Sequence, residues 1–282
     1  MKTPGLKISR RRFIGGVSFA ALGAFGYARL FEAERLQRSF ITVPFSGGAK
    51  PPLKLLHLSD LHASPVVSLR YIGKAIDAAV EWKPDLICVT GDFITQTFDA
   101  VAAYAKILQR LSGTAPTFAS LGNHDGGKWA GEDGGYADVA WVTGLLERSG
   151  VRLLRNDSIR VRVGDRELNL VGLGDIWAGD FDAPRAFATR RAAETIVLSH
   201  NPDTKAHLNV FNWQLMLCGH THGGQLRVPW SGATPFAPVR DKRFVAGLRQ
   251  WNGRWIHVTK GIGSVFGVRI NCPPEVSFLT LT

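Results

Sequence analysis

The sequence predicts an α/β sandwich, and three features predict it. Apolar runs of strand length each end at a small cluster of polar residues, and amphipathic stretches at helical spacing follow several of them. The second half of the chain adds a further set of short strand-like runs separated by turns. With 282 residues, 45% of them hydrophobic, the chain carries enough apolar material for one large domain with a full core.

Residues 1–31 read as an address, ahead of the fold. Ser9-Arg10-Arg11-Arg12-Phe13-Ile14 followed by a Gly/Ala-rich, weakly apolar stretch resembles the twin-arginine leader of bacterial export. Lys2, Lys7, Arg10, Arg11 and Arg12 supply +5 of the net charge of +11. The uncharged run 13–28 holds 16 residues, four of them glycine. That is short of the ~20 a spanning helix needs, and the glycines weaken it as a helix. The expected partner is therefore the twin-arginine export machinery, and the expected location is the periplasm or the outer face of the cytoplasmic membrane. Cleavage near Ala24-Phe25-Gly26 and retention as an anchor both stay open. Residues 32–52 read as a linker that continues a helix over 32–38 and ends in the loop Ser46-Gly47-Gly48-Ala49-Lys50-Pro51-Pro52. The domain is expected over 53–282.

Within that domain the run 53–59 leads into Asp60-Leu61-His62, and Leu69, Ile72, Ile76, Ala79 and Val80 then recur at helical spacing. Residues 85–90 lead into Gly91-Asp92, with a second amphipathic helix marked by Val101, Tyr104, Ala105, Leu108 and Leu111. Residues 117–121 lead into Gly122-Asn123-His124-Asp125, with a third helix over 139–148. Short strands follow at 151–154, 158–163 and 167–172, divided by the turn signals Asn156-Asp157 and Gly164-Asp165. Residues 195–199 end at His200-Asn201-Pro202-Asp203, and 213–218 end at Gly219-His220-Thr221-His222-Gly223-Gly224-Gln225. Later strands are expected near 226–228, 244–248, 255–258 and 276–281.

The polar ends collect Asp60, His62, Asp92, Asn123, His124, His200, His220 and His222. Five of the eight histidines fall among them, each directly behind a strand-like run, and no thiolate joins them. Carboxylate, amide and neutral imidazole donors suit first-row divalent cations such as Mn, Fe, Zn or Co. Taken singly, the carboxylates read equally well as helix caps and Asn123 as an Asx-turn residue; their ordered company favours metal. Cys88 and Cys218 lie in apolar runs as small hydrophobes, and three cysteines without a CxxC spacing give neither a disulfide framework nor a thiolate site. His57, His207 and His257 read as structural.

Asp60-x-His62, Gly91-Asp92, Gly122-Asn123-His124-Asp125, His200 and Gly219-His220-x-His222 resemble the ordered motifs of the calcineurin-like metallophosphoesterases, over 53–282. Leu198-Ser199-His200-Asn201-Pro202-Asp203, the segment 218–226 and the tail 235–248 are similar to a bacterial membrane-associated branch, of the YaeI and YkuE type. The resemblance implies a four-layer αββα sandwich of two mixed sheets flanked by helices. It implies two divalent metal ions, one held by Asp60, His62, Asp92 and His222, the other by Asp92, Asn123, His200 and His220. Asp92 then bridges ions ~3.5–4 Å apart that share an attacking hydroxide. His124 would be the catalytic residue, protonating the leaving oxygen.

The implied activity is hydrolysis of a phosphodiester substrate, with a lipid-linked diester open. The alternatives are a phosphomonoesterase, a UDP-2,3-diacylglucosamine-type pyrophosphate hydrolase and a noncatalytic scaffold. The GDxxDRG pattern of protein phosphatases is missing its second carboxylate and arginine at Phe93-Ile94-Thr95-Gln96, which disfavours a phosphoprotein and leaves open what orients His124. The glycine-rich stretch 126–135 has no phosphate-loop spacing and reads as a flexible lip. Asp175 and Asp180 read as turn residues. Cationic residues interleaved with Trp230, Phe236, Trp251 and Trp255 between 227 and 269 suggest either a basic aromatic rim facing a membrane surface or a solvated face; no nucleic-acid-binding motif is present.

Overall fold

The computed structural model describes residues 10–45, 50–189 and 194–282; Lys2, Lys7 and Ser9 of the leader, and residues 46–49 of the expected linker, lie outside the described residues. The described residues begin with helix α1 (Arg10–Leu30). Among the described residues no helix is long and apolar enough to cross a membrane. The last turn of α1 is fastened to the domain. Ala28 is buried, the Arg29 guanidinium donates to the Gly267 carbonyl at 3.1 Å and the Arg269 amide donates to the Ala28 carbonyl at 3.3 Å.

The expected linker needs correction. Residues 32–34 form one 3-10 turn, and β1 (Gln37–Val43) is an edge strand paired in parallel with β12 (Glu275–Leu281), Gln37 opposite Glu275 through Val43 opposite Leu281. An edge strand bonds on one side only, so its polar residues stay in water and the apolar run that marks a central strand is missing.

The first sheet has the order β1, β12, β2 (Leu53–Leu58), β3 (Leu86–Thr90), β4 (Thr117–Ser120), β5 (Arg152–Leu153). The second is β10 (Gly247–Trp251), β11 (Arg254–Val258), β9 (Leu215–Cys218), β8 (Glu194–Leu198), β7 (Arg166–Gly172), β6 (Asp157–Val163). Both are mixed, with β2, β3 and β4 parallel in one and β7, β8 and β9 parallel in the other.

Alternation along the strands separates three cores. Leu53, Leu55, Leu86 and Cys88 meet Ile196, Leu198, Leu215 and Leu217 between the sheets. Leu56, Leu58, Ile87 and Val89 point the other way, onto α2 (Leu69–Val80), α3 (Val101–Ser112) and α5 (Ala140–Arg148). Val197, Met216, Cys218 and Val258 face the far side of the second sheet, under Trp213, Phe244 and the four-residue helix α6 (Ala183–Ala186). Because both faces are buried, residues 86–89 of β3 and all of β9 read as unbroken apolar runs.

Two expected strands come out differently. Near 226–228 only an isolated bridge pairs Leu226 with Ile270, and Pro229 cannot extend it because it lacks an amide proton. Residues 242–244 form a 3-10 turn capped by the Asp241 carboxylate, which accepts from the Arg243 amide, and the strand begins at Gly247.

Candidate metal centre

Every predicted ligand sits just beyond the carboxyl end of a parallel strand: Asp60 and His62 after β2, Asp92 after β3, Asn123 after β4, His200 after β8, His220 and His222 after β9. The ends of both sheets therefore converge on one point, as ligand sites in open sheets do. His62 Nε2 lies 3.1 Å from His222 Nε2, and Asp60 Oδ1 is 3.4 Å from His222 Nε2. On the other side His220 Nδ1 is 3.0 Å from Asn123 Oδ1. Asp92 Oδ2 sits between the groups, 3.4 Å from His62 Nε2 and 3.0 Å from His200 Nε2. All seven of these side chains are buried. Donor atoms of Asp60, His62 and His222, of Asp60, Asp92 and His200, and of His62, Asp92 and His124 each lie within 4.8 Å of one another.

The backbone there is strained. Asp60, His62, Asp92, His220 and His222 all have φ between 49° and 70°, the left-handed region that costs on the order of 1–3 kcal/mol for a side-chain-bearing residue. Hydrogen bonds hold it in place: the Asp60 amide donates to Gly91 O and the His62 amide to Asp92 O, each at 2.9 Å. The His220 amide donates to Asp60 Oδ1 and the His124 amide to Asp92 Oδ1, both at 3.0 Å. Gly219 must be glycine because a β-carbon on it would collide with Ser59 Oγ and Asp60 Oδ2.

Electrostatics set the donors' protonation. Burial pushes His62 and His220 down to about 3 and His222 well below its ordinary value, so their imidazoles are neutral with a lone pair to give. Burial lifts Asp60 to about 6. Burial also opposes charge on Asp92 and His200, but their mutual attraction outweighs it. With help from its other histidines Asp92 is held low, and with help from the neighbouring carboxylates His200 is held high. His200 Nε2, although 3.0 Å from Asp92 Oδ2, has no aligned hydrogen bond. Buried lone pairs and carboxylates converging without enough protons between them fit divalent cations.

A cation must displace the Asp60 proton. Mn²⁺ affinity is expected to fall about tenfold or more from pH 7 to pH 5, as Asp60 binds its proton through about 6 and His200, held above its ordinary value, keeps its own. Calorimetric titration at the two pH values checks this, and equal affinities would remove Asp60 from the ligand set.

Thr95, Asp125 and Arg269 support the donors. His124 Nδ1 donates to the Thr95 carbonyl at 2.7 Å, so a backbone group does the orienting that the missing carboxylate left open. The Asp125 carboxylate accepts from the amides of Asp92, Phe93 and Gly122 at 2.7–2.8 Å and ties the β3 and β4 loops together. Arg269, wholly buried, donates to the carbonyls of Lys260, Gly263 and Cys272 beneath His222. It is therefore no part of a basic rim. Trp251 stacks on Trp213 and Trp255 packs on the inter-sheet core, whereas Trp230 and Phe236 are exposed.

Above the donors opens a cavity of about 420 Å³ lined by Trp129, Trp177, Leu226, Phe236, Val265 and Phe266, with no lysine or arginine among its lining residues. Trp129, on α4 (Lys128–Glu132) of the expected lip, stands edge-on to His124, ring centroids 4.5 Å apart. Trp177 stands edge-on to His220 at 4.3 Å, placed by the Asp175 carboxylate, which accepts from the Trp177 and Ala178 amides. His57 and His257 pair in the interior at 2.9 Å, as structural histidines do.

Strand-end donors in two converging sheets define a metal-dependent hydrolase site, and the family model for calcineurin-like phosphoesterases matches residues 53–224. The chain belongs to that family. It is 41% identical to the phosphodiesterase YaeI of Escherichia coli (strain K12) over 97% of this chain and 99% of that one. It is 29% identical to the metallophosphoesterase YkuE of Bacillus subtilis (strain 168) over 98% of each, and 25% identical to the UDP-2,3-diacylglucosamine pyrophosphatase LpxG of Chlamydia trachomatis over 80% and 83%. The solved structure of TT1561 from Thermus thermophilus shares the fold, with a TM-score of 0.50 and 13% identity over 75% of this chain and 91% of that one.

Proposed function

We propose that the chain is a two-metal phosphodiesterase. The observation that carries this reading is Asp92 Oδ2 lying between His62 Nε2 and His200 Nε2, at 3.4 and 3.0 Å, beneath a cavity whose walls hold no cation. Asp60, His62, Asp92 and His222 would hold one cation and Asp92, Asn123, His200 and His220 the second. Bound there, the pair supplies an activated water and polarises the phosphoryl oxygens. Asn123 contributes an uncharged donor, so the second ion keeps more of its charge for the substrate.

With Nδ1 engaged by the Thr95 carbonyl, His124 presents Nε2 to the leaving oxygen and hands it a proton. A phosphodiester carries one negative charge and a monoester two near neutral pH. Walls made of Trp129, Trp177, Leu226 and Val265 suit the singly charged ester with apolar substituents, since no lysine or arginine lines the cavity to balance a second charge. The similarity to YaeI supports the same choice. The similarity to LpxG supports a second reading, hydrolysis of an acylated sugar nucleotide pyrophosphate. The arginine pair at the start of α1 and the exposed Phe19, Leu22 and Phe25 on it support export and attachment at the outer face of the cytoplasmic membrane.

Hydrolysis of a chromogenic phosphodiester beside the matching monoester tests the reading, on chelated protein and after adding back Mn²⁺, Zn²⁺ or Fe²⁺. Diester cleavage restored by metal and at least about tenfold faster than the monoester is expected from the missing counter-charge, about one hydrogen-bonded charge's worth of binding. A faster monoester would make the protein a phosphatase.

A further inference from the structure

Two loops form the cavity mouth and are joined to each other. The Arg227 amide donates to the Ile270 carbonyl at 2.9 Å and Leu226 bridges Ile270, so residues 226–236 and 264–271 make one rim. Its outward side is apolar. Trp230 is 102% exposed, and Phe236 and Phe266 are each 75% exposed. Trp230 also has φ 66°, held at a turn closed by the Val228 amide on Ala233 O at 2.8 Å. A full indole in water on a strained backbone has no reward within the fold. The end of α1 joins the same rim through Arg29 on Gly267, carrying exposed Leu22, Phe25 and Leu30 alongside.

Gly232, two residues beyond Trp230 on the same loop, lines a hollow of about 320 Å³ together with Arg227, Lys242, Arg243 and Arg249, with no acidic residue in its lining. Arg243 pairs with Asp241 at 2.7 Å and Lys242 donates to Ala237 O at 2.6 Å. Arg227 Nε is buried and has no hydrogen-bond partner among the described residues. Apolar tips beside a cationic hollow match a bilayer that offers acyl chains below and phosphate headgroups above, and indole rings settle at that boundary.

We propose that this rim, with the end of α1, is a docking surface for an anionic phospholipid bilayer, Trp230 entering the headgroup boundary and the hollow taking a lipid phosphate. The cavity then opens toward the bilayer, and the substrate class it receives is an amphipathic phosphodiester drawn from the membrane. That last step rests on the phosphodiesterase reading; docking itself does not.

Sedimentation with vesicles separates the two, because the full chain can be tested after chelation, without turnover. Binding is expected to vesicles of roughly one part phosphatidylglycerol to three parts phosphatidylcholine, and to be weaker for phosphatidylcholine alone. Trp230→Ser combined with Arg249→Glu should weaken it about tenfold, with the melting temperature reporting that the fold is intact. Arg162→Glu, the same charge reversal on exposed β6, should bind as wild type. The proposal is overturned if the double variant binds as wild type, since α1 alone then holds the membrane. It is equally overturned if Arg162→Glu is as weak as the double variant, if the wild type ignores phosphatidylglycerol, or if inorganic phosphate displaces it, which would make the hollow a soluble-anion site.

Discussion

Asp92→Asn is expected to lower phosphodiester turnover by about three orders of magnitude or more, the largest effect of any single change. The substitution keeps the shape and the acceptor for the His124 amide, 3.0 Å away, but removes the charge facing His62 and His200. Two cations that share a neutral amide repel each other without the carboxylate between them, so both bind weakly. His200 also loses the partner that holds its proton, which is visible as a shift of its imidazole titration to lower pH. A variant with wild-type turnover would take Asp92 out of the bridging position.

His124→Ala is expected to leave metal content unchanged and lower kcat by about 10²- to 10⁴-fold for an alkyl leaving group. For an aryl leaving group that departs readily as an anion the loss should be far smaller, because no proton is needed. That contrast separates proton donation from damage, since the ring also packs edge-on against His62 at 4.9 Å and Trp129 at 4.5 Å. His124→Gln, which fills more of that space, should show the same dependence on leaving group. Equal losses for both leaving groups would make His124 a packing residue.

Much of the site was legible because each donor follows a strand buried on both faces. Residues 86–89 and Leu215–Cys218 are unbroken apolar runs, and polar residues directly behind such runs have few reasons to be there. The edge strand β1 was illegible for the converse reason: Gln37, Arg38 and Thr42 face water, and Arg38 pairs with exposed Glu81. What orients His124 could not be read either, because the acceptor is the carbonyl of Thr95 and every residue has one. Arg269 misled by type, since a charged residue in a basic stretch reads as surface until its carbonyl partners are seen. Trp129 and Trp177 come from separate loops and meet only in the fold, with ring centroids 6.3 Å apart.

The most direct test of a binuclear centre built on Asp92 is elemental analysis of metal bound per chain, after equilibration with Mn²⁺ and removal of free metal, on wild type and Asp92→Asn in parallel. Two equivalents in the wild type and well under one in the variant are the result this arrangement of donors predicts. A single equivalent in the wild type, or two in both proteins, would contradict it.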